Sequence, residues 1–415
     1  MKKNKKAKTI TNSILYNTIG SGIYLFAQWL ILYIVLWISG YKQEGMFSAV
    51  MAVSAVFYAF SLFGMRNYQA TDLKQEHSEK TYMYTRIITY LLSFILCIIY
   101  CFYLKYDAYM ILCVAAYMGF KFSEAIIDFI HGTIQKKWMF KNISISFIIR
   151  AFVFFVSFTL SLLTTKNILL SIIIMGITTL ISVYLYDGRI YIKTINSFGN
   201  SSYEEIKKLI IICLPLAVYT LLSNYALSYP KIVIGKILGN KILGYYATYA
   251  NLAMMVQVAA GFITSPLITY FAELYQKKDR SKIKISLLKC IGIIVGIGII
   301  GIFICTLFGK PIFNLLFGKA IIKYYYLLNQ MIIISLLTAL MWLFTGIITI
   351  IRKFNILIIT NVFYCALMIL FSAQIVRYGL STINYYIIGL ISILNIIYYL
   401  YIMYYIKEKM NEEKN

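Results

Sequence analysis

ISLLKCIGIIVGIGIIGIFICTLF, residues Ile285–Phe308, carries a single charged side chain, Lys289. The run exceeds the ~20 apolar residues that cross a ~30 Å hydrocarbon core. Blocks of this kind recur along the whole chain of 415 residues. Hydrophobic residues make up 61% of it and charged residues only 13%, against about 45–50% and about 25% in soluble domains. Every backbone group inside lipid must bond within its own segment, so blocks of this length are helices. A membrane barrel needs ~10-residue alternating segments, and the sequence has none. The opening Met1-Lys2-Lys3-Asn4-Lys5-Lys6-Ala7-Lys8 resembles the start of a signal peptide. The apolar run behind it, Ile14–Ile38, is too long and has no small-residue cleavage site, so it reads as the first span.

Twelve spans are predicted. Six lie near Ile14–Ile38, Met46–Met65, Ile87–Leu104, Asp107–Ile130, Ile143–Leu163 and Ile168–Tyr186. Six more lie near Leu209–Tyr229, Tyr245–Tyr270, Ile285–Phe308, Tyr326–Ile350, Ile356–Val376 and Tyr385–Ile406. With the N-terminus in the cytoplasm, 26 of the 39 Lys and Arg fall on the inner side, 10 on the outer side and three (Lys121, Arg150, Lys289) within spans. This asymmetry places both termini inside. It also accounts for the net charge of +24 without nucleic acid, whose binders gather cations on a soluble face.

The polar stretch Asn196-Ser197-Phe198-Gly199-Asn200-Ser201-Ser202 separates the two sets of six, and divides the chain into bundles 1–200 and 201–415. The halves look related. Ile38-Ser39-Gly40-Tyr41-Lys42-Gln43-Glu44-Gly45-Met46-Phe47-Ser48-Ala49 joins spans 1 and 2. Leu238-Gly239-Asn240-Lys241-Ile242-Leu243-Gly244-Tyr245-Tyr246-Ala247-Thr248 joins spans 7 and 8. Each has two glycines five apart, then an aromatic and small residues. Six helices per half give parallel repeats about an axis normal to the membrane. The expected architecture is all-α integral membrane, with about 12 transmembrane helices in two parallel six-helix bundles around a central cavity.

Charged and polar side chains inside a membrane are costly and usually functional. At 100° per residue, Tyr117, Lys121, Glu124, Asp128, His131 and Gln135 of span 4 share an arc of about 80°. Arg150 on span 5 comes within a few ångströms of the depth of Glu124 at ~1.5 Å per residue. Two compatible readings stand: an Arg150–Glu124 pair that staples two helices, and charges that line a cavity. Asn17, Ser21 and Gln28 share a face of span 1; Asn224, Asn251, Gln257, Asn329 and Gln330 are similar interior polar positions. Each is expected to hydrogen-bond between helices. Trp29, Trp37, Trp138, Trp342 and the 38 tyrosines suit interfacial belts. Cys97, Cys101, Cys113, Cys213, Cys290, Cys305 and Cys365 read as small packing residues. Of the two histidines, His77 is expected to be solvated in a charged loop. No catalytic constellation, phosphate loop or metal spacing is present in the sequence, so no enzyme activity, cofactor or metal is expected.

Phe63-Gly64-Met65-Arg66-Asn67-Tyr68-Gln69-Ala70-Thr71-Asp72 closes span 2. It resembles the signature of bacterial polysaccharide-repeat-unit flippases of the O-antigen and capsule type, in the multidrug/oligosaccharidyl-lipid/polysaccharide exporter superfamily. The glycine linkers and Pro230-Lys231 are similar to that family's. The resemblance implies a cytoplasmic-membrane protein with both termini inside. Its substrate would be an undecaprenyl-pyrophosphate-linked oligosaccharide moved between leaflets by alternating access. The partners implied are membrane lipid and a polymerase and glycosyltransferases of the same pathway, with the chain itself a monomer. Lys121, Arg150, Arg66 and Lys231 are the expected contacts to the anionic headgroup. Glu124 and Asp128 are the expected ion-coupling or cavity pair, and Asn17, Gln28 and Asn224 polar cavity residues. Arg66 and Asp72 serve equally as anchors and caps of the second helix. The rival readings are a multidrug or cation antiporter of the same superfamily, a flippase for peptidoglycan precursor or teichoic acid, and a membrane polysaccharide polymerase or glycosyltransferase. An antiporter would put carboxylates on span 1, which has none.

Overall fold

The computed structural model describes residues 2–412 apart from 73–75, 138, 196, 254–270, 272–273, 276–278 and 352; the side chains of 2–15, 17, 67, 70, 71 and 407–412 are outside the description. Asn17, Trp138 and Gln257 therefore lie outside the described side chains.

Every regular element among the described residues is helical. The chain runs through α1 (Lys2–Leu62), α2 (Met65–Thr71), α3 (Glu79–Tyr103), α4 (Ala108–Lys136), α5 (Phe140–Thr165) and α6 (Ile168–Ser182). A π-helical turn, Val183–Gly188, carries α6 directly into α7 (Arg189–Thr194). There follow α8 (Tyr203–Leu238), α9 (residues 240–253), α10 (Arg280–Phe317), α11 (Lys319–Ile322), α12 (Leu327–Ile350), α13 (Phe354–Ile375) and α14 (Leu380–Glu412). Among the described residues, ten helices are long and apolar enough to cross a membrane. One of them, within α1, holds two spans, and α9 is the described start of the expected eighth span. The chain is thus a multi-pass membrane protein of about twelve spans.

The two spans of α1 meet at Gly40, whose φ of 78° and ψ of 174° are non-helical. Gly239, its counterpart in the second linker, has φ 85°. The aligned glycines of the two linkers thus share the positive φ that a Cβ disfavours. Gly40→Ala is expected to cost about 1–3 kcal/mol through backbone strain alone, since a Cβ there would meet nothing within 4 Å. Thermal melting of the detergent-solubilised protein reads this.

Contacts divide the chain into Met1–Gly235 and Lys236–Asn415. This division falls inside α8, after the linker that the sequence marks. The reason is local: at its N-terminal end, α8 is tied to α3. Thr81 donates to Glu205 at 2.9 Å and to Ser201 at 3.0 Å, and Tyr100 meets Tyr225 hydroxyl to hydroxyl at 2.9 Å.

In the first unit, α3 shows how the sequence builds a bundle in lipid. Its buried face is Thr81, Tyr82, Thr85, Arg86, Thr89, Tyr90, Ser93, Cys97 and Cys101. Its exposed face is Ile88, Leu91, Leu92, Ile95, Ile99 and Phe102. Lipid tails are as apolar as leucine, so helices associate through small and polar side chains. The helix starts at Glu79, two turns before the predicted Ile87, because Ser78 accepts a hydrogen bond from the Thr81 N–H at 3.1 Å and caps it. Hydropathy sees only the apolar part of such a helix. The central element of this unit is α4, which packs against α1, α2, α3, α5, α6 and α7.

In the second unit α12 packs on α14, α10 and α13. Among the described residues its buried polar side chains are all uncharged. Asn384 donates to Gln330 at 2.9 Å and accepts from Tyr246 at 3.0 Å. Asn361 and Thr360 meet the Tyr398 hydroxyl at 3.1 and 2.7 Å.

Candidate functional site

The polar arc of α4 becomes a ladder whose rungs reach α2, α3, α5 and the π-turn. Glu124 accepts from Arg150 of α5 at 2.7 Å. Asp128 accepts from Arg86 of α3 at 2.7 Å and lies 3.7 Å from Arg66 of α2. His131 lies 3.4 Å from Asp187 of the π-turn and 3.2 Å from the Ser146 hydroxyl of α5. Gln135 accepts from Arg66 at 3.2 Å. Thr133 accepts from Gln69 of α2 at 2.9 Å and donates to Glu79 of α3 at 2.7 Å. Beyond the helix, Lys137 donates to the Thr194 carbonyl of α7.

Arg150 is the largest fully buried side chain among the described residues, 1% exposed. Its guanidinium lies 4.9 Å from the ring centres of both Tyr24 and Phe147. The Arg150–Glu124 pair therefore fills a close contact inside the first unit. The structure brings these two residues together as sequence depth predicts.

Lys121 differs from every other rung. Its ammonium sits over Tyr58, Phe120 and Tyr117, with ring centres at 5.0, 5.2 and 5.6 Å. Among the described residues no carboxylate comes within 4 Å of it and no hydrogen bond satisfies it. Cation–π contacts hold an ammonium while leaving its donors free. Tyr117 and Phe120 also line a narrow crevice with Gln28, Phe47 and Phe154. The crevice is small, with a cavity volume of about 10 Å³, the scale of a single water. Gln28 itself donates to the Tyr24 hydroxyl of its own helix at 3.0 Å, and Asn224 to the Thr220 carbonyl of its own at 2.8 Å. These bonds lie within one helix, where bonds between helices are the sequence expectation.

Lys231 lies apart from this ladder. It follows Pro230 in α8 and faces Glu44 electrostatically. Glu44 is 1% exposed and accepts from Ser48 at 3.1 Å.

The Phe63–Asp72 stretch forms a brace. Phe63 and Gly64 turn the chain with φ of 50° and 60°, and α2 then lays Arg66 and Gln69 against α4. Asp72 accepts from the backbone N–H groups of Glu76 (2.8 Å) and His77 (3.3 Å) and from the Tyr82 hydroxyl (3.0 Å). Burial raises its pKa, but these donors outweigh burial and hold the carboxyl below its usual range. His77 is 6% exposed, between the rings of Tyr68 and Tyr82 at 6.0 and 5.9 Å. The expectation of a solvated His77 is corrected: the Asp72-capped turn folds it inward.

The sequence reading missed Arg86 and Asp187, assigning both to loops. The signal for Arg86 was the helical spacing of Tyr82, Arg86, Thr89 and Ser93 behind the Ser78 cap. For Asp187 no local signal exists, because a π-turn has no sequence signature at this resolution of reading. Among the described residues no group of three His, Cys, Asp or Glu could hold a metal ion.

No family model matches the chain. The capsular polysaccharide biosynthesis protein CapF of Staphylococcus aureus is 23% identical over 338 residues, 80% of this chain and 82% of that protein. A multidrug resistance MATE family transporter of the MOP superfamily, solved in an inward-facing conformation, superposes with a TM-score of 0.68 at 14% identity over 96% of each chain. An outward-facing conformation of such a transporter gives 0.65 at 15% identity over 95% of each. The chain has the fold of the MATE transporters of the MOP superfamily.

Proposed function

We propose that this protein is a flippase that carries an undecaprenyl-pyrophosphate-linked oligosaccharide across the bacterial cytoplasmic membrane by alternating access, with both termini in the cytoplasm. The headgroup is large, hydrated and anionic, so it needs a protein environment that replaces its water. The observation that carries the reading is Lys121, a membrane-embedded cation held by aromatic rings with no carboxylate within 4 Å among the described residues. An anion would find its counter-charge already desolvated there. The two α4 carboxylates are each held at 2.7 Å by an arginine, which disfavours the binding of a cationic drug. The likeness to CapF supports a polysaccharide pathway, and the transporter fold of the solved relatives argues against an enzyme. Arg150, Arg66 and Lys231 enter this reading as further positive charge, and Glu124, Asp128, Asn17, Gln28 and Asn224 as its polar surroundings.

The test is complementation of a capsule-forming bacterium deleted for its own flippase. The wild-type chain is expected to restore surface polysaccharide. Lys121→Ala is expected to reduce it at least tenfold, at unchanged membrane level, since loss of one desolvated charge contact is worth about 1.5–3 kcal/mol and 1.4 kcal/mol is tenfold. Resistance to cationic drugs without restored polysaccharide identifies a multidrug exporter instead.

A further inference from the structure

Six exposed cations stand at one end of the second unit: Lys236, Lys241, Lys310, Lys319, Lys323 and Arg377. The connections that carry them, 236–247, 309–326 and 376–384, contain no Asp or Glu. The proposed orientation puts this end outside the cell, where membrane topology depletes Lys and Arg. The equivalent connections of the first half carry only Lys42, Lys105 and Lys166, with Glu44 and Asp107 to offset them. The outer excess of positive charge therefore belongs to the second half.

The structure ties the three connections into one array. Tyr249 of α9 donates to the Ile321 carbonyl of α11 at 2.8 Å. Tyr245 of α9 stacks on Tyr324, with ring centres 4.8 Å apart. Tyr246 of α9 donates to Asn384 of α14 at 3.0 Å, and Gln330 of α12 donates to Ser381 of α14 at 3.2 Å. Lys310 lies over the Tyr325 ring at 5.7 Å. None of the six cations has a carboxylate within 4 Å among the described residues.

The same end is apolar where it is basic. Helix α10 has 38 residues, about 57 Å at ~1.5 Å per residue, and so outruns a ~30 Å hydrocarbon core. Beyond the apolar run that ends at Phe308, Ile312, Leu315 and Leu316 are 48%, 84% and 43% exposed. Exposed leucines among lysines make a surface that lies in the headgroup layer. The anion that meets these lysines is thus carried by a lipid. A chain already crossing the bilayer many times needs no lysines to hold it there, which favours one particular lipid over the bulk.

We infer that this outer end of the second unit is a landing site for the pyrophosphate headgroup of the translocated lipid in the outer leaflet. The lysines of 309–326 supply the counter-charge, and Ile312, Leu315 and Leu316 face the adjoining lipid chains. This deepens the proposed function, and it rests on that reading for the orientation and for the identity of the lipid.

The experiment reads binding without transport. Full-length Lys121→Ala protein, which lacks the interior cation, is placed in phosphatidylcholine nanodiscs containing either undecaprenyl pyrophosphate or phosphatidylglycerol. Native mass spectrometry counts the lipid it retains. Retention of the pyrophosphate lipid is expected. Lys310→Gln, Lys319→Gln and Lys323→Gln together are expected to weaken it about a hundredfold, while Lys310→Arg, Lys319→Arg and Lys323→Arg together keep it. All three side chains are exposed, so the fold is expected to survive, and thermal melting checks this. Undiminished retention in the Gln variant, or equal retention of phosphatidylglycerol, overturns the site. In complemented cells with Lys121 intact, the Gln variant is expected to lose surface polysaccharide and the Arg variant to keep it; full export by the Gln variant overturns the landing role. A wild-type chain that retains the pyrophosphate lipid but restores no polysaccharide removes the sugar reading and leaves the outer site standing. Restored polysaccharide without retention does the reverse.

Discussion

Arg150→Met is expected to lower the stability of the solubilised protein by about 3–5 kcal/mol, and Glu124→Leu added to it to return most of that loss. The pair is bonded at 2.7 Å with side chains 1% and 9% exposed. Removing the guanidinium leaves the carboxylate beside Tyr24, Tyr58 and Tyr117 with no cation within 4 Å among the described residues, Lys121 facing it from farther away. Removing both charges replaces a desolvated pair by packed apolar volume, which is often neutral. Denaturant or thermal unfolding in detergent gives the magnitudes. The double variant also separates stapling from transport. Its fold recovers and its export is expected to stay lost, as measured by surface polysaccharide. Recovery of both would leave the pair a staple alone.

Asp128→Asn is the second large effect, and its partners divide it. Arg86 is 3% exposed at 2.7 Å, while Arg66 is 26% exposed at 3.7 Å. The buried arginine loses its counter-charge outright, at a cost of about 3–5 kcal/mol. The half-wet arginine relaxes toward water, at about 0–1 kcal/mol. Arg86→Gln in the Asp128→Asn background is therefore expected to restore stability, and Arg66→Gln in that background to change little. Equal rescue by both would mean that the two arginines share the carboxylate evenly.

These pairs also show what the sequence could disclose. The arc of α4 was legible because a transmembrane helix repeats every 3.6 residues, and six polar side chains on one face leave few alternatives. The meeting of Arg150 and Glu124 followed from depth alone, since short loops force neighbouring spans to run antiparallel. The partner of Asp128 did not follow. Arg86 lies in a stretch too polar to score as membrane, yet a serine cap extends the helix through it. Asp187 was invisible for another reason: its position depends on one surplus residue in a helix, which no periodicity records. The linker glycines were legible as a repeat, and Gly40 and Gly239 share a backbone conformation that only their matching positions explain. Lys121 was legible as an interior cation, but one ring of its aromatic seat, Tyr58, comes from another helix.

The ladder on α4 constrains the order of biosynthesis. When α4 leaves the ribosome, Arg86 has already been made and can meet Asp128, but Arg150 has not. Until α5 emerges, Glu124 would face the bilayer unpaired, and a charge at mid-depth opposes partitioning by about 2.5–3.5 kcal/mol. Helices α4 and α5 are therefore expected to enter the membrane as one hairpin, with α4 held at the translocon until the guanidinium arrives. A nascent chain stalled just short of Arg150 is left with α4 unable to leave for lipid.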